Sequence, residues 1–560
     1  MGSFISKYKY ILIFALTSLL LSSFVISDGK MFFAIDYFFQ MNRIIGLSES
    51  IKHFDFLNDI DFTMLNGLGY KNPIFYFNLF LLPFSVLKLI GFSNVSLVLC
   101  MIFLISFFTM VISYYASNVW FKNNFYSFLF SIFYMFSNYH MFNVFYRGAF
   151  GELFGMLFLP IPLFAFIAII YRNELKYWKM LAFGLLFVLL CHNITAFLLV
   201  ILFIIIYSIN IFKIENKKEL TNTFVKSACL FFILSIFYII PVLYSLKIQD
   251  LNVTINPVYH LSDSSSLNEY LNFTDFLTES IFNIPVSLNI GIVNIFALIS
   301  GLFLFKKLGK LDKQFLVISF SLLFIMFFIM DAGYLDNTFI DIIQFPFRLY
   351  IIITPMASIL FVNEISLYKN IRIKRFLVSL FLLVTVFSYV SYKYFMVNLL
   401  NNSETSYLYH TTDYVNNYKN YTYDIGSGRE YLPSIIYPES NNYQDLKEIS
   451  LEPEVVSGKA KISNYLKEYG EVSLNISTNS NSEIEIPYIY YPEYKATING
   501  KNIETKMSDN GLLLIKIPKG IKGKISIKYE KPLVYYVGYF LSSSGLLLFF
   551  IRCKNKRPLN

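Results

Sequence analysis

Long apolar runs separated by short polar loops repeat along almost the whole chain, and that alternation settles which solvent the chain folds in before any motif is considered. A helix needs about 20 apolar residues to cross roughly 30 Å of hydrocarbon. Thirteen runs approach that length, near residues 11–26, 73–90, 95–117, 125–143, 151–171, 178–190, 194–212, 227–246, 290–305, 315–330, 345–362, 376–398 and 533–551. Of the 560 residues 56% are hydrophobic and only 15% charged, with a mean hydropathy of +0.54, whereas about a quarter of a soluble domain is charged. A soluble globular enzyme is excluded, and so are disordered, collagenous and coiled-coil chains. Basic residues number 46 and acidic ones 37, for a net charge of +9. The excess lies mostly in short loops between apolar runs, a positive-inside pattern and not a nucleic-acid surface.

Charge also orients the spans. Lys7 and Lys9 precede the first run and Arg552, Lys554, Lys556 and Arg557 follow the last, so both termini are expected in the cytoplasm and the number of crossings must be even. No small-x-small cleavage site precedes Asp28, which favours an uncleaved first helix over a signal peptide. Counting back from the C-terminus, the basic loops at 369–375, 306–313, 213–226 and 172–179 all fall inside, so the odd run lies before Arg172. The run 73–90 carries Pro73, Pro83 and Lys88 and is assigned to the outer interface. About twelve spans remain, forming a polytopic α-helical membrane protein.

The expected division is a transmembrane domain over 1–396 with a long first outer loop at 28–72, a β-rich extracytoplasmic domain over 397–532, and a final helix with a basic cytoplasmic tail over 533–560. Apolar and polar residues alternate in Glu471-Val-Ser-Leu-Asn-Ile, Glu483-Ile-Glu-Ile-Pro-Tyr-Ile and Lys524-Ile-Ser-Ile-Lys-Tyr. Turns are supplied by Asn499-Gly500 and Asn510-Gly511, and a β-sandwich is expected. The four cysteines form no C-x-x-C, which argues against a disulfide framework or zinc site. There is no P-loop, G-x-G-x-x-G, H-E-x-x-H or G-x-S-x-G.

Ionisable residues beside apolar segments cost about 2.5–3.5 kcal/mol on insertion scales and need a reason to be there. Here they gather at the outer ends of spans. Asp36, Gln40, Arg43 and Leu47 fall at i, i+4, i+7 and i+11, one stripe of a helix, which reads as a polar surface face or as a shared carboxylate–guanidinium site. Arg147 and Glu152 lie five apart at a helix mouth, as an ion pair or as ligand contacts. His192 sits in the tight turn 191–193, an interfacial residue or a ligand, and Arg348 opens the tenth span, snorkelling to lipid phosphates or facing a substrate. The topology puts all four clusters on one side of the membrane. Cations from separate helices converging near an aspartate suit an anionic, lipid-linked substrate.

These residues resemble a bacterial integral membrane family, the YfhO-like or 6-pyruvoyl-tetrahydropterin-synthase-related proteins, which are similar to GT-C glycosyltransferases. The family's first-loop pattern Asp-x-x-Phe-His-x-x-Arg-Ile is matched by Asp36, Phe39, Arg43 and Ile44, with Gln40 in place of the histidine. The following Gly-x-Gly-Tyr-x-x-Pro-x-Phe-Tyr is matched by Gly67, Gly69, Tyr70, Pro73, Phe75 and Tyr76. Later landmarks are Arg147-Gly148 with Gly151-Glu152, His192 with Thr195, Gln344-Phe345-Pro346-Phe347-Arg348, Tyr490-Tyr491 with Tyr494, and Asn499-Gly500.

The resemblance implies a GT-C-like membrane core in the bacterial cytoplasmic membrane, taking a sugar from a polyprenyl-phosphate donor to an envelope polymer or lipid acceptor on the outer face. Asp36 is then the general base, with Asp28 the alternative. Arg147, Arg348 and His192 are expected to hold the donor phosphate, Arg43 and Glu152 to orient loop or acceptor, and Tyr70 and Gln344 to complete the substrate contacts. No cofactor is required and a divalent metal is left open. Two other classes compete: a transporter, which would bury charges at mid-membrane and break helices there, and a non-catalytic receptor or assembly factor, for which Asp36 would be dispensable.

Overall fold

The computed structural model describes residues 2–27, 29–32, 34, 36–255, 260–262, 273–282, 287–330, 333–400, 409–417, 425–426, 429–436 and 449–554. The protein is mostly helical with β-sheets toward the C-terminus, and its chain divides into two compact units. Unit 1 comprises Met1–Tyr37, Phe92–Phe232 and Tyr259–Asn417; unit 2 comprises Phe38–Gly91, Ile233–Val258 and Tyr418–Asn560.

Among the described residues seven helices are long and apolar enough to cross a membrane: Asn94–Phe121, Phe150–Arg172, Asn193–Ile211, Lys217–Ile248, Lys310–Met330, Pro346–Leu367 and Ile371–Phe395. Tyr8–Ser23, Leu79–Leu89 and Leu533–Phe549 are shorter apolar helices. The run expected at 125–143 is divided into Asn124–Met135, Asn138–Phe142 and a wide turn over Asn143–Arg147. The run expected at 73–90 is broken as well, into Asn72–Phe75, Leu79–Leu81 and Leu82–Leu89. Pro73 and Pro83 each sit in a first helical turn, where the missing N–H costs nothing.

In unit 1 the two most buried long helices are Phe150–Arg172 and Pro346–Leu367, with 89% of each apolar stretch buried, against 22% for Ile371–Phe395. They form the centre, and the outer helices turn apolar faces outward. Ser93 caps Asn94–Phe121 by accepting the Ser96 N–H at 3.2 Å. Tyr10 and Phe14 of the first helix lie against Tyr114 and Phe128. A small antiparallel sheet joins β1 (Ile26–Ser27), β2 (Lys30–Phe32) and β3 (Tyr409–Thr411), and so fixes the chain just ahead of Asp36.

Unit 2 holds the two larger sheets, both antiparallel. One runs in the order β5 (Ala460–Glu468), β6 (Glu471–Thr478), β12 (Lys522–Tyr529), β8 (Tyr494–Ile498), β9 (Lys501–Ile503). The other runs β10 (Thr505–Met507), β11 (Leu512–Ile517), β7 (Ser482–Ile489), β4 (Glu454–Ser457). In β6 burial alternates, with Val472, Leu474 and Ile476 inside, and Leu474 pairs with Ile525 of β12. Buried residues of both sheets and of the loop around Ile60–Phe75 belong to one hydrophobic cluster. Each fully buried Val, Leu or Ile there contributes about 1.5–3 kcal/mol. Asn499 and Gly500 turn β8 into β9 at φ of 50° and 80°, both left-handed, as a two-residue hairpin whose twist suits the strands requires.

Candidate functional site

Glu152 is the third residue of the helix Phe150–Phe158, at the N-terminal end of one of the two central helices, and is 2% exposed. A carboxylate this deep needs hydrogen-bond donors and a counter-charge, and it has three donors and two guanidiniums within 4 Å. Oε1 accepts the Tyr139 hydroxyl at 2.5 Å and the Asn143 amide at 2.9 Å, while Oε2 lies 3.1 Å from Arg147 Nη1 and 3.9 Å from Arg348 Nε. Asn143 Oδ1 accepts a second bond from Arg147 Nη1 at 2.8 Å. Arg348 opens the other central helix, where its Nη1 donates to the Ile343 carbonyl at 2.7 Å and to Gln344 Oε1 at 2.8 Å. Phe347 and Phe345 put their ring faces 5.1 and 4.9 Å from the two guanidiniums.

The backbone that aims Arg147 is unusual. Residues Asn143–Arg147 form a wide turn closed by the Gly148 N–H on the Asn143 carbonyl at 2.9 Å. Gly148 ends it at φ +66°, and a Cβ there would lie 2.2 Å from the Tyr37 ring. Only glycine fits both demands. The Arg147 carbonyl in turn accepts the Asp36 N–H at 2.8 Å, which ties the first-loop aspartate to the arginine segment.

Among the described residues the Asp36 carboxyl has no hydrogen-bond or ion-pair partner within 4 Å, although Arg147 and Arg348 both act on it electrostatically. It keeps part of its surface open. Loss of hydration raises its pKa above the usual carboxylate value, the two arginines oppose that shift, and Glu152 adds to it.

His192 caps the helix Asn193–Ile211 from an extended backbone, with Nδ1 accepting the Thr195 N–H at 3.2 Å and lying 2.7 Å from the Thr195 hydroxyl. An accepting Nδ1 leaves the proton on Nε2. Burial pushes the ring pKa down to about 3, with Glu152 opposing and Arg348 and Arg147 assisting, so the imidazole is neutral near pH 7. A Cβ on Gly155 would lie 3.0 Å from the His192 Cβ, which shows how closely this turn packs on the Glu152 helix.

Asp36, Arg147, Glu152, His192, Gln344 and Arg348 therefore all lie in unit 1, linked through Glu152 by contact or by charge. Arg43 and Tyr70 belong to unit 2. Arg43 is buried and donates to Gln40 Oε1 at 2.9 Å, the Tyr76 carbonyl at 3.0 Å and Asn78 Oδ1 at 3.0 Å, against the rings of Phe39 and Tyr76. Gln40 thus serves as an acceptor that orients Arg43. Tyr70 is fully buried in the hydrophobic cluster, where its hydroxyl accepts the Tyr431 N–H at 3.2 Å. Asp28, the alternative base, lies outside the described residues.

Tyr139 and Asn143 were not singled out by sequence, although Tyr139, Asn143 and Arg147 recur every four residues. Buried acids toward the other ends of spans were also missed: Asp312 accepts from Asn363 at 2.6 Å and Glu364 from Ser300 at 2.6 Å. Among the described residues no three His, Cys, Asp or Glu side chains gather to hold a metal ion. No protein-family model matches the chain, and no curated protein matches it.

Proposed function

We propose that this chain is a multi-pass membrane glycosyltransferase of the YfhO-like, GT-C-related kind, moving a sugar from a polyprenyl-phosphate donor to an envelope glycopolymer or lipid acceptor. One observation carries the reading. Two arginines from separate helical segments meet on one buried glutamate, and beside them stands an aspartate that both arginines act on and neither pairs with. Guanidiniums grouped in this way suit a phosphate. An unpaired, partly desolvated carboxylate suits proton abstraction.

In this mechanism Asp36 takes the proton of an acceptor hydroxyl as that oxygen attacks the anomeric carbon. The bond from that carbon to the donor phosphate oxygen breaks, and the oxygen leaves with the electron pair. Arg147 and Arg348 take up the charge that develops there, and the neutral His192 offers Nε2–H as a further donor. Glu152 holds the two arginines at the spacing that the phosphate meets. Arg43, bonded to Gln40, Tyr76 and Asn78, stiffens the first loop.

The finer architecture belongs to the same proposal. Adding the runs at 11–26, 125–143, 178–190, 290–305 and 533–551 to the seven long helices makes twelve spans, with 73–90 in the outer interface. Both termini then face the cytoplasm of a bacterial cell, and the two larger sheets form a β-sandwich outside.

The test is mass spectrometry of envelope glycopolymers and lipid-linked sugars from a deletion strain carrying the wild-type chain or Asp36→Asn. Loss of one sugar with build-up of its lipid-linked donor, at normal protein level, is the expected result. Full restoration by Asp36→Asn would overturn the catalytic role and favour the receptor reading.

A further inference from the structure

Unit 2 contains an open cavity of 450 Å³ that the transfer chemistry leaves unused. Its walls are aromatic: Phe62, Tyr469, Tyr529 and Tyr536 all line it, with Tyr469 edge-on to Phe62 at 4.9 Å. A Cβ on Gly470 would stand 3.0 Å from the Phe62 ring, so glycine there lets that wall close up. The polar lining carries Asp55, Glu471 and Glu530 with Lys531, and Lys528 holds Glu471 at 2.7 Å. Lys531 is already held, by Asp55 at 3.2 Å, by Asp59 at 3.5 Å and by the Leu57 carbonyl. Aromatic faces flanked by carboxylate acceptors match a sugar ring, whose C–H faces are apolar and whose hydroxyls donate. Glu530, which has no ion-pair partner among the described residues, disfavours a phosphate.

The place of the cavity in the fold narrows the source. Tyr536 stands in the first turn of the apolar helix Leu533–Lys554 and is 53% exposed. Phe54 and Phe56, on either side of Asp55, are 83% and 54% exposed. Exposed aromatics at the end of an apolar helix are the pattern of a bilayer interface. We propose that this cavity binds the neutral sugar headgroup of a membrane glycolipid. The proposal requires unit 2 to meet a membrane but does not require Asp36 to be a base.

The experiment places the full-length protein in nanodiscs of phosphatidylglycerol with diglucosyl-diacylglycerol and counts retained lipids by native mass spectrometry. Maltoside detergents are removed beforehand, because their headgroups would compete. The wild type should retain the glycolipid over phosphatidylglycerol by about tenfold, and Tyr536→Ala or Glu530→Gln, both at exposed positions, should reduce that preference at least about fivefold. The free disaccharide and its phosphorylated form should not displace the glycolipid. Equal retention by wild type and by variants with unchanged melting temperatures would overturn the site. Displacement by the free disaccharide would overturn the bilayer as its source. The readout involves no sugar transfer, so failure here is distinguishable from failure of the glycosyltransferase reading.

Discussion

Glu152 shows how much one buried charge organises, since Tyr139, Asn143 and Arg147 bond its two oxygens and Arg348 stands 3.9 Å away. Replacing it with glutamine keeps the shape and leaves two guanidiniums without their counter-charge. Glu152→Gln is expected to destabilise the protein by about 3–5 kcal/mol, read from heat denaturation in detergent against the wild type. Asp36 makes a separate prediction. A general base works deprotonated, and burial has raised its pKa, so transfer should rise with pH through a value above the usual carboxylate range and then level off. A rate that stays flat down through the ordinary carboxylate range would show that Asp36 is not the base. The pair Arg147 and Glu152 was legible because ionisable residues next to apolar runs stand out. Tyr139 and Asn143 were not, because uncharged polar residues at a span end have many ordinary explanations. Asp312 and Glu364 were hidden by the lysines and arginines that flank them in sequence.

At the scale of elements, period-two patterning was the clearest signal. The three alternating runs fall within β6, β7 and β12, and Asn499-Gly500 forms the tight turn that its residue types demand. Helical runs were located more reliably than their interruptions. Residues 136–147 are more polar than the helix before them, with Asn138, His140, Asn143 and Arg147, but polarity alone does not place the break; over Asn143–Arg147 it ends at Gly148, which packs against Tyr37 more than 100 residues away in sequence. That contact is testable. Gly148→Ala combines a left-handed backbone with a clash at 2.2 Å and is expected to cost about 2–4 kcal/mol. Adding Tyr37→Ala should recover part of that loss, because the second change removes the ring that the new methyl meets. A double variant no more stable than the sum of the two single losses would show that the strain lies elsewhere.

For the molecule as a whole, the placement of loops about the membrane rests on charge bias, and impermeant-maleimide labelling in a variant with all four cysteines replaced by serine checks it. Lys501→Cys, at the exposed start of β9 beside the Asn499-Gly500 turn, should be labelled in intact cells, and Lys369→Cys only after permeabilisation. The reverse pattern would invert the topology. Within unit 2, Lys71 and Glu493 form an ion pair with each side chain 1% exposed, and burial holds the lysine below its usual pKa while Glu493 supports its charge. The partners are 422 residues apart in the chain. At roughly 5–20 residues per second of synthesis, Lys71 emerges from the ribosome roughly 20–80 s before the carboxylate that neutralises it exists. Through that interval the lysine stays hydrated, so the first loop closes over its charge only once the last strands are made.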